Sequence, residues 1–292
     1  MRQYTYSYFN LRQIADSGQC FRMIPVLSEH DTYDIISCGR FLRISQKDHL
    51  IAFDCPEEDL VFWENYFDCS TDYEAFQNSI DEKDSYLLAA AKTGSGIRIL
   101  KQDLWEMIIT FVISQQKTIP KIREAVENLC LRYGTEHDSP YGCYHAFPSP
   151  EQLIQASVTD LQDIRLGYRA KYIRQLCEDA VNGLLDLDHL RTLDYTSSME
   201  YLTGFYGIGK KVANCICLFG LHHIDAFPID TWIEQILMKE YFKKHKRKYS
   251  ALPKSKLYSA ITKDAFGKYH GYAGVMQQYI FYYERFLQSR IQ

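Results

Sequence analysis

The sequence predicts an α+β protein, with a small N-terminal antiparallel sheet domain over residues 1–96 and a mainly helical domain over residues 97–292. Between Cys20 and Phe53, apolar and polar residues alternate in short runs separated by turn-forming residues, the pattern of half-buried strands. From Leu104 onward the apolar residues recur every three or four positions, as on the buried face of a helix. Lys92-Thr93-Gly94-Ser95-Gly96 separates the two regimes.

In chain order, the strands are Cys20–Ile24, Tyr33–Cys38, Phe41–Ser45 and Leu50–Phe53, with Asp31, Gly39, Arg40, Lys47 and Asp48 supplying turns. After Pro56 the period becomes helical, first through Leu60, Trp63, Tyr66 and Phe67 and then through Ile80, Tyr86, Leu87 and Ala90. Leu104, Met107, Ile108, Phe111 and Val112 share one helix face. Thr118-Ile119-Pro120 opens the next helix, and Ser149-Pro150-Glu151-Gln152 reads as a capped helix start. Further helices fit residues 159–166, 169–182, 197–204, 210–219, 230–242, 255–265 and 272–288. The chain contains no internal repeat.

Apolar residues make up 46% of the 292 positions, enough for a substantial core. No apolar run reaches membrane-spanning length and the first residues lack the apolar stretch of a signal peptide, so a cytoplasmic protein without membrane association is expected. Nine cysteines, an odd number without a C-x-x-C pair, argue against disulfides and zinc. The net charge of −4 is unevenly divided: residues 1–99 carry 9 basic and 16 acidic groups, leaving 24 and 21 in the rest, which is net basic by three. Within the basic part, Lys239, Lys243, Lys244, Lys246, Arg247, Lys248, Lys254 and Lys256 have one acidic neighbour, Glu240. Such a run suits either phosphate neutralisation or a solvated loop.

The densest chemistry lies in Phe205-Tyr206-Gly207-Ile208-Gly209-Lys210-Lys211, with Asp230 nineteen residues after Lys211. Two glycines two apart permit a tight turn, and a helix starting at Lys210 would offer its N–H groups to an anion such as a DNA phosphate. The positive end of that helix disfavours a charge on Lys211, and a neutral lysine can attack a carbon that opens to a Schiff base. The C1′ of a nucleotide losing its base is such a carbon, and Asp230 would stabilise the cationic transition state. From these residues alone a second reading stays open: Lys211 contacts phosphate and Asp230 caps the following helix.

Residues 202–232 resemble the helix-hairpin-helix-GPD signature of DNA glycosylases, whose bifunctional members carry the catalytic lysine at the position of Lys211 and the aspartate at Asp230. Four more segments resemble the 8-oxoguanine glycosylase/lyases: Ser17–Arg22, Gly96–Asp103, Leu166–Tyr172 and Tyr272–Gln277. They lie in order and span nearly the whole chain, which is similar to the compact bacterial members.

The resemblance implies excision of 8-oxoguanine from double-stranded DNA by a monomer in the bacterial nucleoid, followed by strand cleavage at the abasic site. It places the Gly18 carbonyl against N7–H of the oxidised purine, Gln277 on its Watson–Crick edge, and Phe281 and Cys215 on its two faces. Gln116, Tyr168 and Arg169 fall where the family fills the gap and holds the estranged base. Gly207 and Gly209 belong to the DNA-gripping hairpin, and Trp232 stands where the family has a histidine. An Asn-Asn-Asn run is replaced by Gln116-Lys117-Thr118, and a second base-reading arginine by Lys121. Lysine lacks arginine's fixed fork, so relaxed opposite-base preference is expected. The family also binds a monovalent cation through backbone carbonyls, here those of Thr203, Phe205 and Ile208, and no organic cofactor is implied. The four-cysteine loop of the iron–sulfur branch is absent. A glycosylase for another damaged base and a non-catalytic DNA-binding module are the competing readings.

Overall fold

The computed structural model describes residues 1–289. Its first layer is an antiparallel sheet of β1 (Arg2–Thr5), β2 (Met23–Pro25), β3 (Thr32–Ser37), β4 (Arg40–Lys47) and β5 (Leu50–Asp54), in spatial order β1-β5-β4-β3-β2. Cys38 and Gly39, both with positive φ, close the β3–β4 hairpin, so Cys38 belongs to the turn. Ile35, Leu42, Ile44, Ile51 and Phe53 face one side, where helices α1 (Leu11–Asp16) and α2 (Leu60–Tyr66) cover them with Leu11, Ile14 and Trp63. β1 is not legible in the sequence because its residues are largely exposed. An edge strand of this kind is specified by the free backbone groups of its neighbour, here β5.

The remaining helices build a second core. They are α3 (Tyr73–Asn78), α4 (Ser85–Thr93), α5 (Leu104–Ser114), α6 (Ile119–Tyr133), α7 (Pro150–Leu153), α8 (Val158–Asp163), α9 (Arg169–Val181), α10 (Leu187–Thr192), α11 (Tyr195–Thr203), α12 (Lys210–Phe219), α13 (Thr231–Ile236), α14 (Lys246–Ser250), α15 (Lys254–Phe266) and α16 (Ala273–Ser289). Ten of the eleven residues of α5 are buried, so this helix is the spine on which α6, α9 and α12 pack. Helices α3 and α4 also contribute to this second core, through Tyr73, Leu87, Ala90 and Ala91, and α4 lies along α16. Among the described residues, no helix is long and apolar enough to cross a membrane.

Three local features depart from the sequence expectations. Residues 136–139 and 142–145 form a hairpin, β6 and β7, that reaches back to the sheet. Its Tyr144 hydroxyl donates to the Gly39 carbonyl at 2.9 Å, and the Arg43 guanidinium lies 3.5 Å from the centre of the Tyr141 ring. The hairpin lacks apolar alternation because its aromatic residues pack on Phe41 of β4 and not on a core of its own. The helix expected over 230–242 is α-helical only to Ile236, then widens into a π-type turn through Tyr241. The lysine-rich segment is partly neutralised from afar: Lys244 lies 3.6 Å from Asp84, and Lys248 2.6 Å from Asp264.

Where the sheet meets α5, two ionisable groups are buried: Arg22, 1% exposed, and Glu106, 5% exposed. Burial pushes the Glu106 carboxyl up to about 7, against the pull of Arg22 and with repulsion from Asp103 adding to the rise. An unfolded glutamate titrates near about 4.3. The folded state therefore holds its proton to higher pH, and this contribution to stability is complete below the unfolded pKa and lost as pH rises towards 7. Between pH 5 and 8 the wild type should lose about 1–3 kcal/mol more stability in urea titrations than Glu106→Gln, which cannot ionise. Parallel profiles would assign Glu106 an ordinary pKa.

Candidate active site and DNA interface

Five segments converge on one pocket: the loop at Ser17 and Gly18, Phe111 of α5, Lys211, Cys215 and Phe219 of α12, Pro228 and Asp230 before α13, and Gln277, Gln278 and Phe281 of α16. Helix α12 begins directly after Gly209 without a side-chain cap, leaving its first N–H groups for an outside acceptor. Lys210 is exposed, whereas Lys211, about 100° further round the helix, is half-buried and lines the pocket. Its ammonium stands 5.6 Å from the centre of the Phe111 ring, which stacks on Phe219. Cys215, one turn on, is buried; desolvation pushes its thiol up, and the nearby Lys211 charge only partly offsets this. It is therefore a neutral thiol near neutral pH.

Asp230 caps a helix and lines the pocket at once. Its Oδ1 accepts the backbone N–H groups of Trp232 at 3.0 Å and Ile233 at 2.9 Å, capping α13. Both bonds end on one oxygen, which fixes the carboxylate and leaves Oδ2 for the pocket it shares with Lys211.

Gly18 is held by a buried hydrogen-bond frame. Gln19, fully buried, donates from Nε2 to Ser17 Oγ at 2.9 Å and to the Arg98 carbonyl at 2.8 Å, while its Oε1 accepts Leu100 N–H at 2.8 Å. Gln102 Nε2 donates to the Gln19 carbonyl at 2.9 Å. Arg98, in turn, donates to the carbonyls of Phe67, Asp68 and Thr71. The segments Ser17–Arg22 and Gly96–Asp103 are thus bonded to each other, and Gly18, at φ +78°, is presented to the pocket with Phe281 and Arg285 pressed against it. A side chain there would be strained and would meet the Phe281 ring at 3.3 Å.

Helix α16 is docked through Gly274 N–H, which donates to the Ile224 carbonyl at 2.8 Å. This sets Gln277 beside the segment leading to Asp230: its Nε2 donates to the Pro228 carbonyl at 3.2 Å. Phe281, one turn further, is half-buried at the pocket wall.

The other expected DNA contacts lie on a neighbouring face. Gln116 is exposed at the end of α5 in the left-handed region, φ +53°. The preceding Gln115 donates from Nε2 to the Gly207 carbonyl at 3.0 Å, tying α5 to the hairpin. Gly207, at φ +89°, packs so closely that an added Cβ would fall 2.4 Å from the Tyr172 ring. Tyr168 and Trp232 are exposed. Arg169 is buried: its guanidinium donates to the Gln115 and Leu166 carbonyls and lies 4.4 Å from the centre of the Tyr168 ring. Lys121 is exposed and lines a cleft with Lys117, Glu124 and Arg165. In the hairpin the Phe205 carbonyl accepts Ile208 N–H at 3.1 Å and keeps a second lone pair, and Thr203 ends α11. Among the described residues no cluster of three His, Cys, Asp or Glu could hold a metal.

Residues 3–108 match the family model of the 8-oxoguanine DNA glycosylase N-terminal domain, and residues 109–257 that of the HhH-GPD superfamily of base excision DNA repair proteins. The chain belongs to the 8-oxoguanine DNA glycosylase family. This glycosylase is 29% identical to an N-glycosylase/DNA lyase of Saccharomyces cerevisiae over 93% of its own length and 82% of the relative's. Its fold matches that of MBOgg1, solved in complex with a low-affinity DNA ligand, at a TM-score of 0.87 and 30% identity, covering 99% and 100% of the two chains. The Clostridium acetobutylicum 8-oxoguanine glycosylase/lyase, solved with double-stranded DNA containing cytosine opposite 8-oxoG, matches at 0.86 and 30% identity over 96% and 93%. The present chain is accordingly a bifunctional glycosylase and abasic-site lyase.

The glycosylase pocket also contains Ser17, Phe111, Phe219, Pro228 and Gln278, which the sequence reading did not single out. The phenylalanines carry no signal that separates them from core. Gln278 does: two adjacent glutamines interrupt an apolar helix, and both are buried. The frame around Gly18 makes a direct prediction. Gln19→Leu would leave the Arg98 carbonyl and the Leu100 N–H buried without partners, and should cost about 2–4 kcal/mol in urea unfolding. A change within about 0.5 kcal/mol would show that the frame does not hold the loop.

Proposed function

We propose that this glycosylase removes 8-oxoguanine from double-stranded DNA and then cleaves the strand at the resulting abasic site. The observation that carries this is the meeting of Lys211, Asp230, Gly18 and Gln277 on one pocket lined by Phe281 and Cys215. The oxidised purine differs from guanine in having a proton on N7. A backbone carbonyl at Gly18 rewards that proton, whereas the N7 lone pair of guanine would repel it. The base is swung out of the stack to reach the pocket, with Phe281 and Cys215 on its faces and Gln116 and Tyr168 at the gap it leaves. The solved complex of the Clostridium relative with double-stranded DNA containing 8-oxoG supports this reading.

In the first step Lys211 Nζ bonds to C1′ as the C1′–N9 bond breaks, and the proton shed by the amine goes to the departing base. The Asp230 carboxylate stabilises the positive charge that develops on the sugar. Ring opening gives a Schiff base, loss of a C2′ proton expels the 3′ phosphate, and water releases Lys211. The first N–H groups of α12 and the turn at Gly207 and Gly209 hold a phosphate, and a monovalent cation at the carbonyls of Thr203, Phe205 and Ile208 would add positive charge there. The enzyme acts as a monomer.

Borohydride trapping on an 8-oxoguanine duplex tests the nucleophile. Lys211→Gln should bind lesion DNA but trap no adduct, and Lys210→Gln should trap nearly normally; the reverse pattern would overturn the assignment. Asp230→Asn separates charge from capping, since asparagine caps a helix about as well. It should retain stability and binding while losing most of the excision rate.

With Lys121 in place of a second arginine, one fork of the opposite-base clamp is missing. The preference for cytosine over adenine should be about one to two orders of magnitude below that of a two-arginine enzyme. Single-turnover excision from duplexes with each of the four bases opposite the lesion measures it, with Lys121→Arg restoring discrimination. A strict cytosine requirement unaffected by Lys121→Arg would assign selectivity to Tyr168, Arg169 or a residue not yet recognised.

A further inference from the structure

Gln277 and Gln278 form a chain of amides whose direction is fixed at one end. The Pro228 carbonyl can only accept, so the amide nitrogen of Gln277 must face it, as it does at 3.2 Å. The Gln277 oxygen then points the other way, where it accepts Gln278 Nε2 at 2.8 Å. The same logic turns the Gln278 oxygen away from Gln277. That atom, Oε1, is buried and has no hydrogen-bond partner, although the residue is only 3% exposed and lines the pocket. A buried acceptor left without a donor is costly, and the protein offers it none. Because Gln278 lines the pocket, a base seated there stands beside this acceptor.

The unused hydrogen-bonding groups of the pair have a defined pattern. Gln277 retains one amide N–H and one oxygen lone pair, and Gln278 retains one amide N–H and its oxygen, so the groups the pair leaves free include a donor and two acceptors. The Watson–Crick edge of a guanine-type base runs acceptor, donor, donor: O6, N1–H and the 2-amino group. We infer that Gln277 and Gln278 act together on the pairing edge of the base, their two oxygens facing its two donors, with Gln278 Oε1 as the specificity determinant that reads the second donor. This rests on 8-oxoguanine being the substrate, and it adds a residue and a chemical rule to that reading. The pocket requires two neighbouring donors on the base, not merely an oxidised purine.

The rule is tested with bases that differ only on this edge. Single-turnover excision is measured on duplexes carrying 8-oxoguanine or 8-oxohypoxanthine, which lacks the 2-amino donor, in wild type, Gln278→Leu and Gln278→Met. The wild type should favour 8-oxoguanine by roughly 10- to 100-fold, because the analogue leaves an acceptor unmet. Both variants retain a single outward acceptor, that of Gln277, so they should excise 8-oxoguanine more slowly while the preference falls towards one. The ratio separates recognition from packing, since a purely structural defect slows both substrates alike. An equal loss on both, or an unchanged ratio, would overturn the role of Gln278 and leave 8-oxoguanine as substrate. A wild type that excises neither base would overturn the substrate itself, and this inference with it.

Discussion

The arrangement depends on a few buried hydrogen bonds that join the loop carrying Gly18 to the segment leading into α5. Gln19 satisfies an acceptor and a donor of residues 98–100, and Gln102 satisfies the Gln19 carbonyl in return. Each of these backbone groups is out of reach of water, so its loss carries a desolvation penalty that surface polar contacts do not. Apolar packing alone would allow the loop to slide. A set of directional bonds to fixed backbone atoms does not, and it transmits the position of α5 to Gly18.

From that frame the pocket follows by packing. Helix α5 is buried nearly all round, and its Phe111 stacks on Phe219 of α12, setting the rotation of the helix that carries Lys211. Helix α16 approaches the segment before α13 through Gly274 and Gln277, so Gln277 and Asp230 meet on one pocket walled by Phe281. Asp230 gains its orientation from the same cap that starts α13. One carboxylate can both cap and face the pocket because its two capping bonds end on the same oxygen.

The face beside the pocket stores strain. Gln116 and Arg165 hold left-handed backbone conformations unfavourable for residues with a Cβ, and Arg169 is buried against the carbonyl of Gln115. Gln115 links these elements to the hairpin at Gly207, so the residues expected at the gap, at the estranged base and at the phosphate share one support.

The sequence by itself determined the two-part α+β organisation, because alternation and helical spacing are local consequences of burying one face of a strand or helix. It singled out Lys211 through the resemblance of the hairpin to the family signature, and the fold turns that lysine, not Lys210, towards the pocket. It missed β1 and the β6–β7 hairpin, whose residues answer to partners distant in the chain: the free edge of β5, and Phe41 and Gly39. Only the tertiary structure decided that Asp230 caps and faces the pocket at once, that Arg169 is held against the end of α5, and that Gln278 ends an amide chain on an unmet acceptor. These are properties of directional groups brought together from separate segments. A one-dimensional pattern records which residues are polar, but not which partners the fold leaves them.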